Sequence, residues 1–331
     1  MLHAEADESV LDAALRQGLA LPYGCRNGAC RSCKGSILEG QVEYPGGIPK
    51  SLTSLDVAQG FALLCTAHAT TDLRIAVEEI DSEQKIVVRN LPCRVARKHQ
   101  LAHDVIGLEL MLPASERLQY LPGQYVDVLL RDGRRRAFSL ANAAREDDRL
   151  ELQIRRVPGG SFSEYVFQHL KERALLRLRG PLGSFYLRKK DHRPIILMAG
   201  GTGFAPIKAI VEGALADGFP GKMHLYWGVR ACRDLYMHEL ASTWAAEHEA
   251  LEYTPVLSEP MPGDEWTGRT GFVHDALIAD LADLSPFTVY VSGPPLMVTA
   301  GRENFIAHGL DPARFHSDSF DYAYETGHDT A

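Results

Sequence analysis

The spacing of apolar and polar positions changes character three times along the chain. Ser9-Val-Leu-Asp-Ala-Ala-Leu-Arg16 places apolar residues three and four apart, which predicts a short amphipathic helix ended near Gly18. A glycine- and cysteine-rich loop runs from Tyr23 to Cys33. Strand-like Ser36–Val42, a turn at Pro45-Gly46-Gly47, a helix near Ser54–Ala58 and an alternating strand at Leu73–Val77 come next. Polar residues 80–85 read as a linker. From Val87 to about Leu187 short β-type runs are separated by turn signals: Cys93–Ala96, Val105–Met111, Gln124–Leu130, Ala137–Ala141 and Leu150–Arg155. One helix, Glu164–Leu170, interrupts them, and the pattern predicts a β-barrel with a helix. From Arg193 onward apolar strands alternate with helices: Pro194–Ala199, Ala205–Ala216, Met223–Gly228, Leu235–His248, Glu252–Leu257, Val273–Leu281, Thr288–Ser292 and Pro295–His308. That is a βαβ pattern and predicts a mostly parallel sheet. No internal repeat is present, and the polar tail from Asp321 is expected to be mobile.

The 331 residues are 45% apolar and 24% charged, which excludes collagen-like, low-complexity and grossly disordered chains. A net charge of −8 argues against nucleic acid as a partner. No apolar run approaches the roughly 18–20 residues of a membrane span. The acidic start, Met1 to Glu8, lacks the basic and apolar regions of a signal peptide, so a reducing, cytoplasmic location is expected. Charge is uneven. Residues 1–85 hold 12 acidic and 7 basic side chains, residues 86–190 hold 11 and 20, and residues 191–331 hold 20 and 8. A basic middle segment suits a polyanionic ligand. Mutual attraction of three domains, or solvated arginines, would account for it equally well.

Six cysteines are few, and in a reducing compartment clustered cysteines point to metal or redox chemistry. Cys25-Arg-Asn-Gly-Ala-Cys30-Arg-Ser-Cys33 is C-x4-C-x2-C, and Cys65 follows after 31 intervening residues. This is the plant-type [2Fe–2S] spacing, in which one tight loop wraps the cluster and a distant cysteine closes it. A zinc site would favour a second C-x2-C pair or a Cys/His mixture, and nothing of that kind accompanies this loop. Cys93 and Cys232 stand alone and receive no role.

In the basic segment, Arg136-Ala-Phe-Ser139 offers a phosphate partner, an aromatic ring and a hydroxyl near the start of a strand, although a charged turn and core packing would also explain it. Arg155-Arg-Val-Pro-Gly-Gly160-Ser-Phe-Ser-Glu164 presents arginines and glycines before a helix, with Ser161 and Glu164 as a capping box. Beyond the barrel, Gly200-Gly-Thr-Gly203 follows a strand and precedes Phe204-Ala-Pro-Ile. Tyr226-Trp-Gly-Val-Arg230 and Val291-Ser-Gly-Pro-Pro-Leu-Met297 end two further strands. Ligands bind open parallel sheets at such strand ends.

Together, Arg-Ala-Phe-Ser, Gly-Gly-Thr-Gly-Phe-Ala-Pro and Ser-Gly-Pro-Pro resemble the ferredoxin–NADP reductase superfamily, here behind a plant-type ferredoxin module. Within it the chain is similar to CDP-6-deoxy-Δ3,4-glucoseen reductases and to oxygenase reductase components, over about residues 1–320. Arg155–Ser163, Tyr226-Trp-Gly228, Trp266–His274 and Phe315–Phe320 carry the first likeness. The resemblance implies a multidomain α+β and α/β chain. It would comprise a β-grasp ferredoxin domain over 1–85, an antiparallel β-barrel FAD domain over 86–190, a parallel-sheet NAD(P)H domain over 191–320, and a tail over 321–331. It implies a [2Fe–2S] cluster on Cys25, Cys30, Cys33 and Cys65. Arg136, Phe138 and Ser139 would hold the flavin, with Ser139 near its reactive nitrogen. Arg155, Gly160, Ser161 and Ser163 would bind the FAD diphosphate. Gly201, Thr202 and Gly203, with Ala205, Pro206, Gly228, Gly293 and Pro294, would receive the nicotinamide nucleotide. Ser292 would touch the nicotinamide where a cysteine is common, and Phe320 would shield the flavin. Asp234 would accept a ribose hydroxyl and favour NADH over NADPH, whereas Arg230 and Arg233 argue the other way. The activity implied is electron transfer from NADH through FAD and the cluster to an acceptor protein. That acceptor would be a dehydratase on a CDP-6-deoxyhexose or, alternatively, an oxygenase component; a carrier without NADH activity is the reading from another class. Two departures stand out. Family members carry a further strand before the position of His3, so either the start is misassigned or the ferredoxin sheet lacks an edge strand. Arg31 replaces a small residue and is expected to add positive charge beside the cluster.

Overall fold

The computed structural model describes residues 3–5, 7–19, 21–77, 86–144, 149–188 and 190–320. They form two compact units: residues up to 77 together with 183–185 and 317–320, and the remaining residues from 86 to 316. The expected linker at 80–85 and the tail from Asp321 lie outside the described residues.

The first unit contains, in order, α1 (Val10–Arg16), β1 (Lys34–Glu39), β2 (Val42–Glu43), α2 (Ser54–Ala58), β3 (Phe61–Leu63), β4 (His68–Ala69) and β5 (Arg74–Ala76). Ser9 caps α1 by accepting the Asp12 amide at 3.1 Å, and Val10, Leu11, Ala13 and Ala14 are its buried face. β1 is central, antiparallel to β3 and β5. β2 and β4 form a separate antiparallel pair. The strands β2, β3 and β4 are too short for alternation to reveal them.

Asp56 joins several parts of this unit. It completes a capping box with Thr53, takes two Arg31 hydrogen bonds at 2.9 and 2.8 Å, and takes the Lys34 ammonium at 2.5 Å. Burial pushes its pKa up, but Lys34, Thr53 and Arg31 together outweigh burial and hold the carboxyl well below the usual range. The positive charge expected from Arg31 is thus answered by a carboxylate. Asp56→Ala leaves two cations facing a loss of partner. It should cost about 2–3 kcal/mol, between the values of exposed and fully buried pairs. The check is the denaturant midpoint at which visible cluster absorbance disappears.

The second unit begins with β6 (Arg89–Ala102), β7 (Val105–Met111), β8 (Tyr125–Leu129), β9 (Arg135–Ser139), β10 (Arg149–Arg155), α3 (Ser161–Gln168) and β11 (Leu175–Leu182). The strand order is β10-β7-β6-β11-β8-β9, antiparallel at every step. Leu140, just past β9, bridges to Leu152 in β10 and brings the two outer strands together as a barrel. Both leucines are fully buried among Val95, Leu108, Leu110, Val126 and Val128. Cys93 lies in this core, and burial pushes its thiol up to about 12, as befits a packing residue.

The helix differs from expectation. α3 starts at Ser161, with Gly160 as its N-cap, so the Ser161–Glu164 capping box does not form. Glu164 instead receives a two-pronged contact from Arg156, at 3.0 and 3.0 Å. A charge-assisted fork outcompetes a single amide for the carboxylate.

The unit continues with β12 (Ile195–Gly200), α4 (Phe204–Ala216), β13 (Met223–Val229), α5 (His238–Glu247), β14 (Leu251–Leu257), β15 (Arg269–Thr270), α6 (Val273–Asp280), β16 (Thr288–Gly293), α7 (Pro295–Ala307) and the first two residues of β17 (Phe315–Ser319), whose remainder belongs to the first unit. The sheet order is β15-β14-β13-β12-β16-β17, and the pairs from β15 through β16 are parallel. No described helix is long and apolar enough to cross a membrane. Leu152→Ala should lower stability by about 2–5 kcal/mol through lost burial and a residual cavity, read as a lower urea midpoint at an unchanged slope.

Candidate functional site

The cysteine loop is shaped by backbone conformations that most residues avoid. Arg26, Gly28 and Arg31 have φ of 58°, 80° and 63°. Such alternation turns successive N–H groups inward. The Ala29 and Cys30 amides donate to Cys25 Sγ at 3.2 and 3.3 Å, and the Cys25 amide donates to Cys30 Sγ at 3.4 Å. Gly28 has no room for a side chain, because a Cβ there would sit 2.9 Å from Pro49. The hydrogen bond between Cys25 and Cys30 lowers the Cys30 pKa despite burial and raises that of Cys25. The same holds for Cys65, lowered, and Cys33, raised. Paired sulfurs that also act on one another electrostatically, with amides aimed at them, fit a [2Fe–2S] cluster held by four thiolates.

Within this unit, two segments from later in the chain bind the loop region. Ser184 Oγ donates to the Tyr23 carbonyl at 2.7 Å and accepts the Tyr23 amide at 2.9 Å. Ser32 Oγ donates to the Ser317 carbonyl at 3.2 Å, and Ser317 Oγ donates to the Cys30 carbonyl at 3.5 Å. Phe320 groups with the same unit. Gly183-Ser-Phe185 therefore serves the cysteine unit, where the sequence suggests only the end of the barrel.

In the second unit, β9 carries Arg136, Phe138 and Ser139, opposite Val128, Val126 and Tyr125. Alternation puts Arg136 and Phe138 on one face and Ser139 on the other. Phe138 packs on the barrel core, its ring 5.5 Å from Phe162. Gly160 gives α3 no side-chain cap, and the Arg134 guanidinium reaches Ser161 Oγ at 3.3 Å. An uncapped helix start beside an arginine suits a diphosphate. Ser163, by contrast, is committed to the backbone, donating to Val157 and Gly160 carbonyls and accepting the Val157 amide.

The nucleotide loop is a tight turn, Gly201–Gly203, leading straight into α4 with Ala205 and Pro206 buried in its first turn. A Cβ on Gly203 would lie 2.1 Å from the Ser292 carbonyl, so the loop and the end of β16 pack backbone to backbone. Ser292 is fully buried, and its hydroxyl makes no hydrogen bond among the described residues. An orphaned hydroxyl at this place fits a ligand that would complete it. Gly293 and Pro294 follow, with Pro294 as N-cap of α7. Gly228 ends β13 packed on Val273. Arg155 pairs with Asp104 at 2.7 Å, and its guanidinium lies 3.1 Å from a Cβ position on Gly201, so barrel and nucleotide loop meet here. Asp234 accepts the Ala231 amide at 3.1 Å and faces His103 at 3.6 Å, while Arg230 is exposed just past β13. Trp227 went unnoticed as a support: it stacks on Phe204 at 3.9 Å and donates to the Gly201 carbonyl at 2.9 Å. Gly203→Ala should push the loop from β16 and weaken nucleotide binding at least about tenfold, seen in the KM for the dinucleotide.

Comparisons with known proteins agree with this geometry. Family models match a 2Fe-2S iron-sulfur cluster binding domain over residues 1–70, an oxidoreductase FAD-binding domain over 92–186 and an oxidoreductase NAD-binding domain over 197–303. The CDP-6-deoxy-L-threo-D-glycero-4-hexulose-3-dehydrase reductase of Yersinia pestis is 39% identical, over 96% of this chain and 94% of that one. An aromatic O-demethylase reductase subunit from Amycolatopsis sp. is 35% identical, over 96% and 95%. Among solved structures, the ferredoxin reductase in carbazole 1,9a-dioxygenase has a TM-score of 0.73 at 30% identity, covering 96% of this chain and 94% of that one. With sulfur-lined loop, barrel and nucleotide sheet each matched over nearly the full chain, the protein belongs to the ferredoxin reductase family of iron–sulfur flavoproteins, as an NAD(P)H-dependent FAD and [2Fe–2S] oxidoreductase that transfers electrons to an acceptor.

Proposed function

We propose that the acceptor is a dehydratase acting on a CDP-6-deoxyhexose and that NADH, in the cytoplasm, is the electron source. Higher identity to the hexulose-dehydrase reductases than to the oxygenase reductases, at equal coverage, supports the sugar-nucleotide branch. When bound, NADH supplies a hydride, FAD accepts two electrons and releases them singly, and the cluster carries one at a time. The chain's own residues do the rest. In this reading Cys25, Cys30, Cys33 and Cys65 hold the cluster. Arg136, Phe138 and Ser139 hold the flavin, and the start of α3, with Ser161 and the Arg134 guanidinium beside it, takes its diphosphate. Gly201–Gly203 admits the nucleotide, and the Ser292 hydroxyl contacts the nicotinamide. The choice of acceptor rests on the identity to the hexulose-dehydrase reductases, and the hydride path is supported by the meeting of Arg155, at the end of β10, with Gly201 in one compact unit, because hydride transfer needs barrel and nucleotide loop side by side.

An anaerobic absorbance spectrum with one equivalent of NADH tests it. Flavin and iron–sulfur bands bleached by NADH are expected, with NADPH slower; cofactors bleached by neither nucleotide would leave a carrier. A dehydratase with its CDP-6-deoxyhexose substrate should then reoxidise the protein faster than an oxygenase component. Faster turnover with the oxygenase would favour the second reading, which the similarity to the Amycolatopsis reductase subunit supports.

A further inference from the structure

Lys208 is a cation where none is expected. It lies in α4, and its side chain is only 4% exposed. Its ammonium donates to the Ala141 carbonyl at 2.8 Å, to Glu151 Oε2 at 2.9 Å and to Glu212 Oε1 at 2.8 Å. Three acceptors match the three protons of an ammonium, so the buried charge is satisfied. Glu212 uses its other oxygen to accept the Ala143 amide at 3.1 Å. Ala141 and Ala143 follow β9, two and four residues past Ser139, and Glu151 lies in β10. Lys208 itself sits one turn beyond Phe204, where α4 leaves the nucleotide loop.

We infer that Lys208 is a positioning residue for hydride transfer, setting the distance and angle between the strand assigned to the flavin and the loop assigned to the nicotinamide. This rests on the proposed flavin and nucleotide sites. A purely apolar contact at this seam would stabilise without direction, whereas three charge-assisted hydrogen bonds fix α4 against the β9–β10 corner in one register. The cation also holds Glu151 and Glu212 together, two carboxylates that would repel if left alone. Lys208 acts through Ala141 and the start of α4.

The test uses the purified holoprotein in anaerobic single-turnover mixing with NADH. Lys208→Met combined with Glu151→Gln and Glu212→Gln removes the charges in balance and leaves no bare carboxylate. Flavin bleaching in this variant should slow about 10- to 100-fold, the scale of a misplacement near 1 Å, with the KM for NADH within about twofold and flavin content unchanged. Bleaching at the unaltered rate overturns the proposal, because the network would then serve stability alone. If the triple variant does not fold, Lys208→Arg retains the cation but displaces its donors. It should slow bleaching at least about fivefold at an unchanged thermal midpoint, and a normal rate there again overturns it. Failure of the unaltered protein to bleach with NADH would instead overturn the underlying functional reading.

Discussion

A hydride passes only between atoms about 3–3.5 Å apart, so the junction between barrel and nucleotide sheet is the constraint on which this molecule depends. Directional polar contacts cross it beside apolar packing such as that of Gly213 in α4 on Pro122. Arg155 lies beside Gly201, Tyr236 donates to Gln153 at 2.7 Å, Glu212 takes the Ala143 amide, and Lys208 binds Ala141, Glu151 and Glu212. Each joins a residue at or just past the barrel strands β9 and β10 to α4, the nucleotide loop or the segment after β13. Hydrogen bonds contribute modestly to net stability but are directional and costly to leave unmade. A seam made of them resists sliding more than its free energy suggests. The apolar cores, by contrast, lie inside the barrel and about the parallel sheet.

The cysteine loop meets a different constraint. Left-handed φ at two arginines is unfavourable for residues with side chains and persists only where surroundings over-determine it. Those surroundings are present. Arg31 is locked to Asp56 and the Ser51 carbonyl, Arg26 to Asp12, and the Gly28 carbonyl accepts the Ser51 hydroxyl. The same ion pair that Arg31 shares with Lys34 at Asp56 holds the loop in the shape that turns its amides toward sulfur. Conformation and electrostatics are therefore one design here, although Asp56 is shared by Arg31 and Lys34 and the group keeps a net positive charge.

Much of the fold was legible because burial writes itself into composition. β7, β13, β16 and α4 are long and strongly apolar, and their limits match expectation to within a residue or so. β6 extends from Arg89 to Ala102, well past the expected Cys93–Ala96, since its second half carries the unbroken polar run Arg97-Lys98-His99-Gln100 and looks like loop. β15 has two residues and no periodicity to show. Of the site, the cysteine spacing was plain, because three ligands on one loop and a fourth in the turn after β3 must obey fixed distances. Arg155 beside Gly201 and the orphaned Ser292 hydroxyl were not, as they join residues dozens of positions apart.

In the proposed nucleotide site, Asp234 would bear on specificity through its charge. One carboxylate oxygen is occupied by the Ala231 amide and the other faces His103. That occupancy fixes the group but does not remove its charge. Coulomb energy falls only as the inverse of distance, and it is larger where water is excluded. Asp234 has a side chain 12% exposed, whereas Arg230 stands in solvent, where counter-ions screen it within a Debye length of about 8–10 Å. A phosphate on the ribose would meet a poorly screened anion and a well-screened cation. That imbalance, more than any direct ribose hydrogen bond, is the physical ground for the proposed preference for NADH.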